Sequence, residues 1–147
     1  MNDSISSNEI PPGWMLIFMA WTVVASATLG SLFFSEVMGV PVCILCWYQR
    51  IALYPLTFIL AVGLFPYDPK VVRYAGVLTG MGWCTALFHV LLVAGVIPEK
   101  IHPCMQGIPC SETHLVLFGF LTIPMMSLLT FTLVAALLFF ARRMQSS

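Results

Sequence analysis

The sequence predicts an all-α integral membrane protein, folded as a bundle of four transmembrane helices. Hydrophobic residues make up 60% of the chain, charged residues only 8%, and the mean hydropathy is +0.97. A soluble domain carries about 25% charged residues, so this composition excludes an ordinary soluble fold. Four apolar stretches are each long enough to cross about 30 Å of hydrocarbon. The length of 147 residues allows one domain.

The four predicted spans cover approximately residues 14–34, 43–65, 71–97 and 115–141 within a single membrane domain, residues 1–147. Residues 35–42 and 98–114 form two connections on one side of the membrane. Small residues at helical spacing allow close contact between membrane helices. Such residues predict one contact face on the first span and one on the third: Ser26, Ala27, Gly30 and Ser31, then Gly76 and Gly80.

The distribution of basic residues predicts the orientation. Four spans put both termini on one side, together with the basic residues Lys70, Arg73, Arg142 and Arg143. The opposite connections hold only Lys100 and the half-buried Arg50. Because cytoplasmic loops carry the excess of Lys and Arg, we expect cytoplasmic termini and external connections. The six basic residues balance six acidic ones and no basic run occurs, so no nucleic acid partner is expected. The apolar composition predicts a lipid bilayer as the surroundings.

A cysteine pair followed by an arginine opens the second span, in the run Cys43-Ile-Leu-Cys46-Trp-Tyr-Gln-Arg50. On a helix that begins near Cys43, Cys46 and Arg50 fall on the same face as Cys43, at i+3 and i+7. The positive end of the helix dipole favours the thiolate, which is the form that attacks disulfides. Arg50 enters the apolar layer, where an unpaired guanidinium is costly and typically functional. The pattern predicts a redox-active pair above a buried cation.

Each half of this pattern also has a plainer interpretation. A Cys-x-x-Cys pair forms half of many zinc sites, and an arginine near a helix end can snorkel to the membrane interface. The combination on one helix face favours redox chemistry.

A second cysteine pair lies in the longer external connection. Cys104 and Cys110 flank Gly107 and Pro109, residues that let a short loop turn back on itself. Two closable pairs in an oxidising compartment indicate a relay by thiol–disulfide exchange. The fifth cysteine, Cys84, lies in mid-span, where we expect a small buried hydrophobe.

These motifs resemble the disulfide bond formation protein B (DsbB) family, and most closely its short-loop members, often called BdbC. The resemblance covers nearly the whole chain: four spans, the Cys43-x-x-Cys46-Trp-Tyr-Gln-Arg50 run, the second pair in Pro-Cys104 and Pro-Cys110-Ser, and Phe118-Gly119-Phe120 with Pro124 opening the last span. Six positions separate Cys104 from Cys110, a tighter loop than in the longest-studied branch of the family.

The resemblance implies a quinone-linked thiol oxidoreductase in the plasma membrane, with its redox cysteines on the external face. The loop pair, Cys104 and Cys110, would oxidise a reduced thioredoxin-like thiol oxidase of the DsbA or BdbD kind. Cys43 and Cys46 would reoxidise the loop pair, Cys46 would face the quinone, and Arg50 would help to bind it. The quinone is either menaquinone or ubiquinone. The whole system would support disulfide formation in exported proteins.

Elementary chemistry supports these roles. A quinone dissolves in the bilayer, so its electron donor must lie at the membrane edge, and the negative charge that builds on its oxygens favours a nearby cation such as Arg50. His89 is the only histidine within a predicted span. It has two interpretations: a hydrogen-bond or proton donor to the quinone, or a histidine satisfied by a carbonyl of a neighbouring helix.

Three other functions compete with this one. A metal-binding membrane protein without redox activity would use Cys43, Cys46, Cys104 and Cys110 as a zinc tetrathiolate site. Zinc pairs usually have two to four residues between the ligands, whereas five residues lie between Cys104 and Cys110. A zinc site also does not explain Arg50. A structural scaffold with two disulfide staples is a further alternative. Vitamin K epoxide reductases share the four-helix, quinone-facing arrangement, but the Trp-Tyr-Gln-Arg run disfavours them.

Overall fold

The computed structural model describes residues 10–11, 13–39, 42–97, 116–117 and 121–146, and the described chain is almost entirely helical. Four α-helices are each long and apolar enough to cross a membrane, which confirms the predicted number of spans. They are α1 (Trp14–Leu32), α2 (Ile44–Leu64), α3 (Val71–Val93) and α4 (Ile123–Ser146). Helix α1 continues as a π-helix over Phe33–Val37. Two short antiparallel strands, β1 (Val116–Leu117) and β2 (Leu121–Thr122), precede α4 and are the departure from the all-α prediction.

The second span begins one residue later than predicted, because Cys43 caps the helix and does not form its first turn. The backbone of Cys43 is extended, with φ −70° and ψ 164°. Its Sγ accepts a hydrogen bond from the backbone N–H of Cys46 at 3.4 Å. A side chain in this position satisfies one of the free N–H groups at a helix start. The cysteine motif therefore contains its own helix start signal.

The third span ends four residues before its predicted end at residue 97. Gly95 adopts a left-handed conformation, with φ 74°. Its N–H donates to the carbonyl of Leu92, and the N–H of Val96 donates to that of Leu91, both at 3.0 Å. This arrangement is the Schellman motif, in which glycine terminates a helix. The sequence stays apolar to Ile97, so hydrophobicity alone overestimates the length of the helix.

The predicted boundaries of the first and fourth spans are also shifted. The π-helix carries the first helical segment to Val37, into the predicted connection 35–42. Helix α4 begins at Ile123 rather than at residue 115, which puts Pro124 in the first turn, where its missing N–H needs no partner. The same helix passes residue 141 and ends at Ser146. Arginine and glutamine are good helix formers, so the helix outlasts the apolar run.

The helices form an antiparallel ring, in which α1 packs on α2 and α4, and α3 packs on the same two helices. The beginning of α1 and the end of α4 share one end of the bundle, where a Cβ on Gly13 would lie 3.3 Å from the carbonyl oxygen of Ala141. Close α3 packing occurs at Gly82, where a Cβ would collide with the ring of Phe131. By contrast, a Cβ on Gly76 or Gly80 would meet nothing within 4 Å, so the contact face predicted there is wrong for the described residues.

Candidate functional site

The first turn of α2 brings two cysteine sulfurs into contact. The Sγ atoms of Cys43 and Cys46 share a hydrogen bond at 2.8 Å, and both thiols are free. Cys43 is buried and Cys46 is half-buried. A cap residue and the residue three positions later lie on the same side of the helix start, so the local backbone is enough to bring the pair together. The pair can close to a disulfide or open to two thiols by a small movement.

Arg50 lies one helical turn beyond Cys46 and is only 8% exposed. Helix α1 holds its guanidinium at one residue: Nε donates to the hydroxyl of Ser31 at 2.9 Å, and Nη2 donates to the carbonyl of Ser31 at 2.8 Å. The guanidinium carbon also lies 5.5 Å from the centre of the Trp47 ring. Within the described chain, no acidic side chain neutralises this cation. A buried cation without a counter-ion is expensive, which makes Arg50 a candidate for binding a ligand that carries or develops negative charge.

A cavity of about 270 Å³ opens beside Cys46 and Arg50, between α1, α2 and α4. Its volume is near the lower end of small-molecule pockets, about 300 Å³. Its wall is mainly apolar, with five hydroxyl groups from Ser26, Ser31, Ser35, Ser127 and Thr130. We call it the Arg50 cavity; its remaining lining residues are Ala27, Gly30, Phe34, Val42, Cys46, Gln49, Leu53, Ile123, Met126 and Phe131.

The small residues of α1 create this space. They were predicted to bring α1 close to another helix, yet Ser26, Ala27, Gly30 and Ser31 all line the Arg50 cavity. A Cβ on Gly30 would meet nothing within 4 Å. The absence of large side chains on this stripe leaves a gap between the helices where the prediction expected a contact. Small residues in a membrane helix therefore indicate close backbone approach or a cavity, and the sequence does not distinguish the two.

Helix α3 approaches the cysteine pair through His89. His89 is 2% exposed, and its Nε2 lies 3.8 Å from the Sγ of Cys43. Its other ring nitrogen, Nδ1, lies 3.2 Å from the amide nitrogen of Gln49, which is 6% exposed. His89 is not among the residues that line the Arg50 cavity. The two sulfurs thus have different neighbours: Cys46 borders the cavity, and Cys43 contacts the histidine.

The same three side chains offer a possible set of metal ligands. The donor atoms of Cys43, Cys46 and His89 all lie within 4.8 Å of one another. Two thiolates on a tetrahedral zinc ion, with Zn–S bonds of about 2.3 Å, would place their sulfurs about 3.8 Å apart. The observed separation of 2.8 Å is an ångström shorter. The two sulfurs as they stand therefore do not have the spacing of a zinc-bound pair.

The structure brings four of the six predicted site residues to one end of the bundle: Cys43, Cys46, Arg50 and His89. The other two, Cys104 and Cys110, lie outside the described residues. The predicted burial of Cys84 is wrong, because this side chain is exposed on α3. Ser31 was predicted only as a helix-contact residue, and no role was predicted for Gln49. The polar side chain of Gln49 inside an apolar span was a signal that the sequence offered. The contact of Ser31 with Arg50 is visible only when α1 is placed against α2.

The fold and site together define a four-helix, multi-pass membrane protein with a cysteine pair beside a cation-lined cavity. Comparison with known families gives one match that spans most of the chain: residues 13–141 match the model of the family described as disulfide bond formation protein DsbB. No solved structure matches the chain.

Curated relatives agree with this family match. A probable disulfide formation protein of Metapseudomonas resinovorans is 43% identical over 139 residues, covering 92% of this chain and 96% of the relative. Probable disulfide formation protein C 2 of Bacillus cereus is 44% identical over 124 residues, covering 84% and 88%. Disulfide bond formation protein C of Bacillus subtilis is 38% identical over 120 residues, covering 82% and 87%. The chain belongs to the DsbB family, and its role is in disulfide bond formation.

Proposed function

We propose that this protein is a thiol:quinone oxidoreductase that reoxidises an extracytoplasmic, thioredoxin-like thiol oxidase and passes the electrons to a membrane quinone. The observation that carries the proposal is the shared cavity of Cys46 and Arg50. A sulfur that can give up electrons and a cation that can stabilise a developing anion border the same space. Cys43 lies outside that lining, so one sulfur of the pair remains for exchange with other thiols.

The chemistry of the Arg50 cavity fits a quinone ring. Its wall is mainly apolar, which suits a flat, lipid-soluble ring. The guanidinium, held on two sides by Ser31, has Nη1 left without a hydrogen bond to the described residues. The hydroxyl groups of Ser26, Ser31 and Ser127 can supply further donors for ring oxygens. When bound, a quinone accepts two electrons and two protons and becomes a quinol.

The electrons pass between the cysteines by successive thiol–disulfide exchanges. A reduced partner protein transfers its two electrons to the Cys104–Cys110 disulfide. A thiolate of the reduced loop then attacks Cys43, the Cys43–Cys46 bond breaks, and Cys46 leaves as a thiolate beside the Arg50 cavity. The second loop thiolate attacks the loop sulfur bound to Cys43, which restores the loop disulfide and frees Cys43. The Cys43–Cys46 pair now holds both electrons, next to the acceptor site.

The same proposal predicts the membrane in which the protein lies and its orientation there. The protein sits in the plasma membrane with both cysteine pairs on the external face, because its substrates are exported proteins and because the Lys and Arg distribution favours cytoplasmic termini. The compartment outside the plasma membrane is oxidising, so disulfides formed there persist.

The test is quinone reduction by a reduced thioredoxin-like protein in the presence of the purified chain. Ultraviolet absorbance follows the quinone, and alkylation follows the thiols of the partner. Cys46→Ser should stop quinone reduction, because the electron donor at the cavity is lost. The matched control is Cys84→Ser, which removes an exposed cysteine on α3 away from the cavity and should leave turnover intact. Turnover by Cys46→Ser at the normal rate would refute the proposal.

The loop pair is tested separately. Cys104→Ser and Cys110→Ser should each abolish oxidation of the partner, because one sulfur cannot accept two electrons as a disulfide. One of the two variants should trap a mixed disulfide with the partner, which identifies the sulfur that is attacked. Full oxidation of the partner by both variants would exclude the relay.

The competing function is metal binding without redox activity. It is favoured by the three donor atoms of Cys43, Cys46 and His89 within 4.8 Å, and it is disfavoured by the short distance between the sulfurs. Elemental analysis and a thiol count on the purified protein separate the two functions. A stoichiometric metal ion with no reducible disulfide would support the metal site, whereas two disulfides that a reduced partner can open would support the relay.

A further inference from the structure

His89 contacts the cysteine pair from α3 and does not line the quinone site proposed above. Its Nε2 lies 3.8 Å from the Sγ of Cys43, and its Nδ1 contacts Gln49, which does line that site. The reacting sulfur that His89 contacts is therefore that of Cys43. Helix α3 carries it, so the contact joins two helices at the point where the sulfur chemistry takes place.

The orientation of the Gln49 amide favours one tautomer of His89. The amide nitrogen of Gln49 lies 3.2 Å from Nδ1 of His89. An amide N–H can only donate, so Nδ1 must accept with its lone pair, and the proton of the neutral ring is on Nε2. The Nε2–H group then points toward the sulfur of Cys43. Both side chains are buried, at 6% and 2% exposure, so water competes little for these hydrogen bonds.

Two N–H groups thus lie close to the sulfur of Cys43: the backbone N–H of Cys46 donates to it at 3.4 Å, and Nε2 of His89 lies 3.8 Å away. The Sγ of Cys46 shares a hydrogen bond with it at 2.8 Å. Among the described residues, Cys46 and His89 are the titratable groups that contact it. A sulfur beside two N–H donors at a helix N-terminus is suited to carry a negative charge.

We propose that His89 is a catalytic residue for the Cys43 half of the cysteine pair, with Gln49 as its positioning residue. The proposal rests on the relay described above. When the second loop thiolate attacks the mixed disulfide, the bond between the loop sulfur and Cys43 breaks and its electron pair stays on Cys43. The Nε2–H of His89 donates a hydrogen bond to this leaving thiolate. The hydrogen bond stabilises the reduced pair and therefore makes the Cys43–Cys46 disulfide a stronger oxidant of the loop.

The test isolates the cysteine pair from the relay. In a full-length background with Cys84, Cys104 and Cys110 replaced by serine, only Cys43 and Cys46 remain. The pair is equilibrated with mixtures of reduced and oxidised dithiothreitol, and the thiols are counted by alkylation. His89→Leu removes the donor and should shift the equilibrium about tenfold toward the disulfide, since a hydrogen bond to a charged group is worth that factor. For two electrons, this shift lowers the potential by about 30 mV.

Three further variants in this background make the result specific. His89→Gln keeps an amide N–H where Nε2 lies and should recover most of the shift. Gln49→Leu removes the group that fixes the tautomer and should shift the equilibrium in the same direction as His89→Leu, but less. Phe88→Leu is the control, because Phe88 packs against the same cluster as Cys43 but offers no donor; its equilibrium should match that of the parent.

A second measurement distinguishes this role from one at the quinone. In Cys43→Ser protein, the remaining Cys46 thiolate beside a bound quinone should give a visible absorption band. Adding His89→Leu should leave the band unchanged if His89 serves Cys43, and the unchanged band also shows that the variant is folded. Loss of the band would overturn the inference, as would a His89→Leu equilibrium equal to that of the parent or no recovery in His89→Gln. The dithiothreitol measurement needs neither partner nor quinone, so failure of the proposed function would show separately.

Discussion

The guanidinium of Arg50 on α2 is fixed to a single residue of α1, Ser31, through both its hydroxyl and its carbonyl oxygen, at 2.9 and 2.8 Å. This double contact turns the flexible arginine side chain into a rigid part of the cavity wall. It also ties together the two helices that flank the opening. The position of the cation beside Cys46 is therefore set by a residue outside the cysteine motif.

Ser31→Ala should weaken the use of quinone without affecting the thiols. The hydroxyl is lost but the carbonyl remains, so Arg50 keeps one of its two anchors and becomes less well oriented. We expect the KM for quinone to rise about tenfold, the value of one hydrogen bond to a charged group. Exchange of the Cys43–Cys46 pair with dithiothreitol should not change.

Thr28→Val is the matched control for Ser31→Ala. Thr28 also links α1 to α2, through a 2.9 Å hydrogen bond with Thr57, but the hydrogen bonds of Arg50 go to Ser31, and Thr28 is outside the cavity lining. If both variants raise the KM equally, the effect comes from helix packing, and the positioning role of Ser31 is wrong.

Arg50→Met should have a larger effect, because it removes the cation and keeps most of the bulk of the side chain. A group that stabilises a developing oxyanion is typically worth about 100-fold or more in rate, so we expect a loss of that size in quinone-dependent turnover. Exchange between the two cysteine pairs should survive, as measured by single-turnover oxidation of the partner without added quinone. Normal quinone kinetics in Arg50→Met would mean that this arginine is only a membrane anchor.

Gly30→Leu should block the cavity without touching a thiol. A side chain at residue 30 has nothing within 4 Å at its Cβ position and extends into the Arg50 cavity. A mismatch of even one methylene in a hydrophobic pocket weakens binding about tenfold or more. The KM for quinone should therefore rise by at least that factor. Gly76→Leu is the control, because its Cβ also meets nothing within 4 Å but it lies outside the cavity lining. Equal effects of the two substitutions would show that the cavity does not bind the quinone.

The orientation of the protein can be tested in intact cells. After reduction, a membrane-impermeant thiol reagent should label the four paired cysteines and spare Cys84, which lies in mid-span. The prediction rests on Lys70, Arg73, Arg142 and Arg143, which share one side of the four-span topology. Labelling that requires permeabilised cells would reverse the orientation.

The sequence was sufficient for those parts of the site that depend on one helix. Cys43, Cys46 and Arg50 are close because of their spacing along α2, so the motif alone predicted their arrangement. Ser31 and Gln49 depend on which helices are neighbours and how they are rotated, and composition carries no such information. The helix ends were predicted less well than the number of spans, because hydrophobic runs do not locate caps. Cys43 caps the start of α2, and the left-handed Gly95 ends α3.

The different neighbours of the two sulfurs predict which one meets the quinone. Cys46 lines the Arg50 cavity, whereas Cys43 is outside its lining and contacts His89. Cys43→Ser should therefore leave Cys46 as a thiolate beside an electron-poor ring, a contact that absorbs visible light. We expect the purified Cys43→Ser protein with bound quinone to show such a band, and Cys43→Ser/Arg50→Met to lack it, because the cation that holds both the thiolate and the ring is gone. If Cys46→Ser shows the band and Cys43→Ser does not, Cys43 is the sulfur that meets the quinone, and the assignment of the two cysteines is reversed.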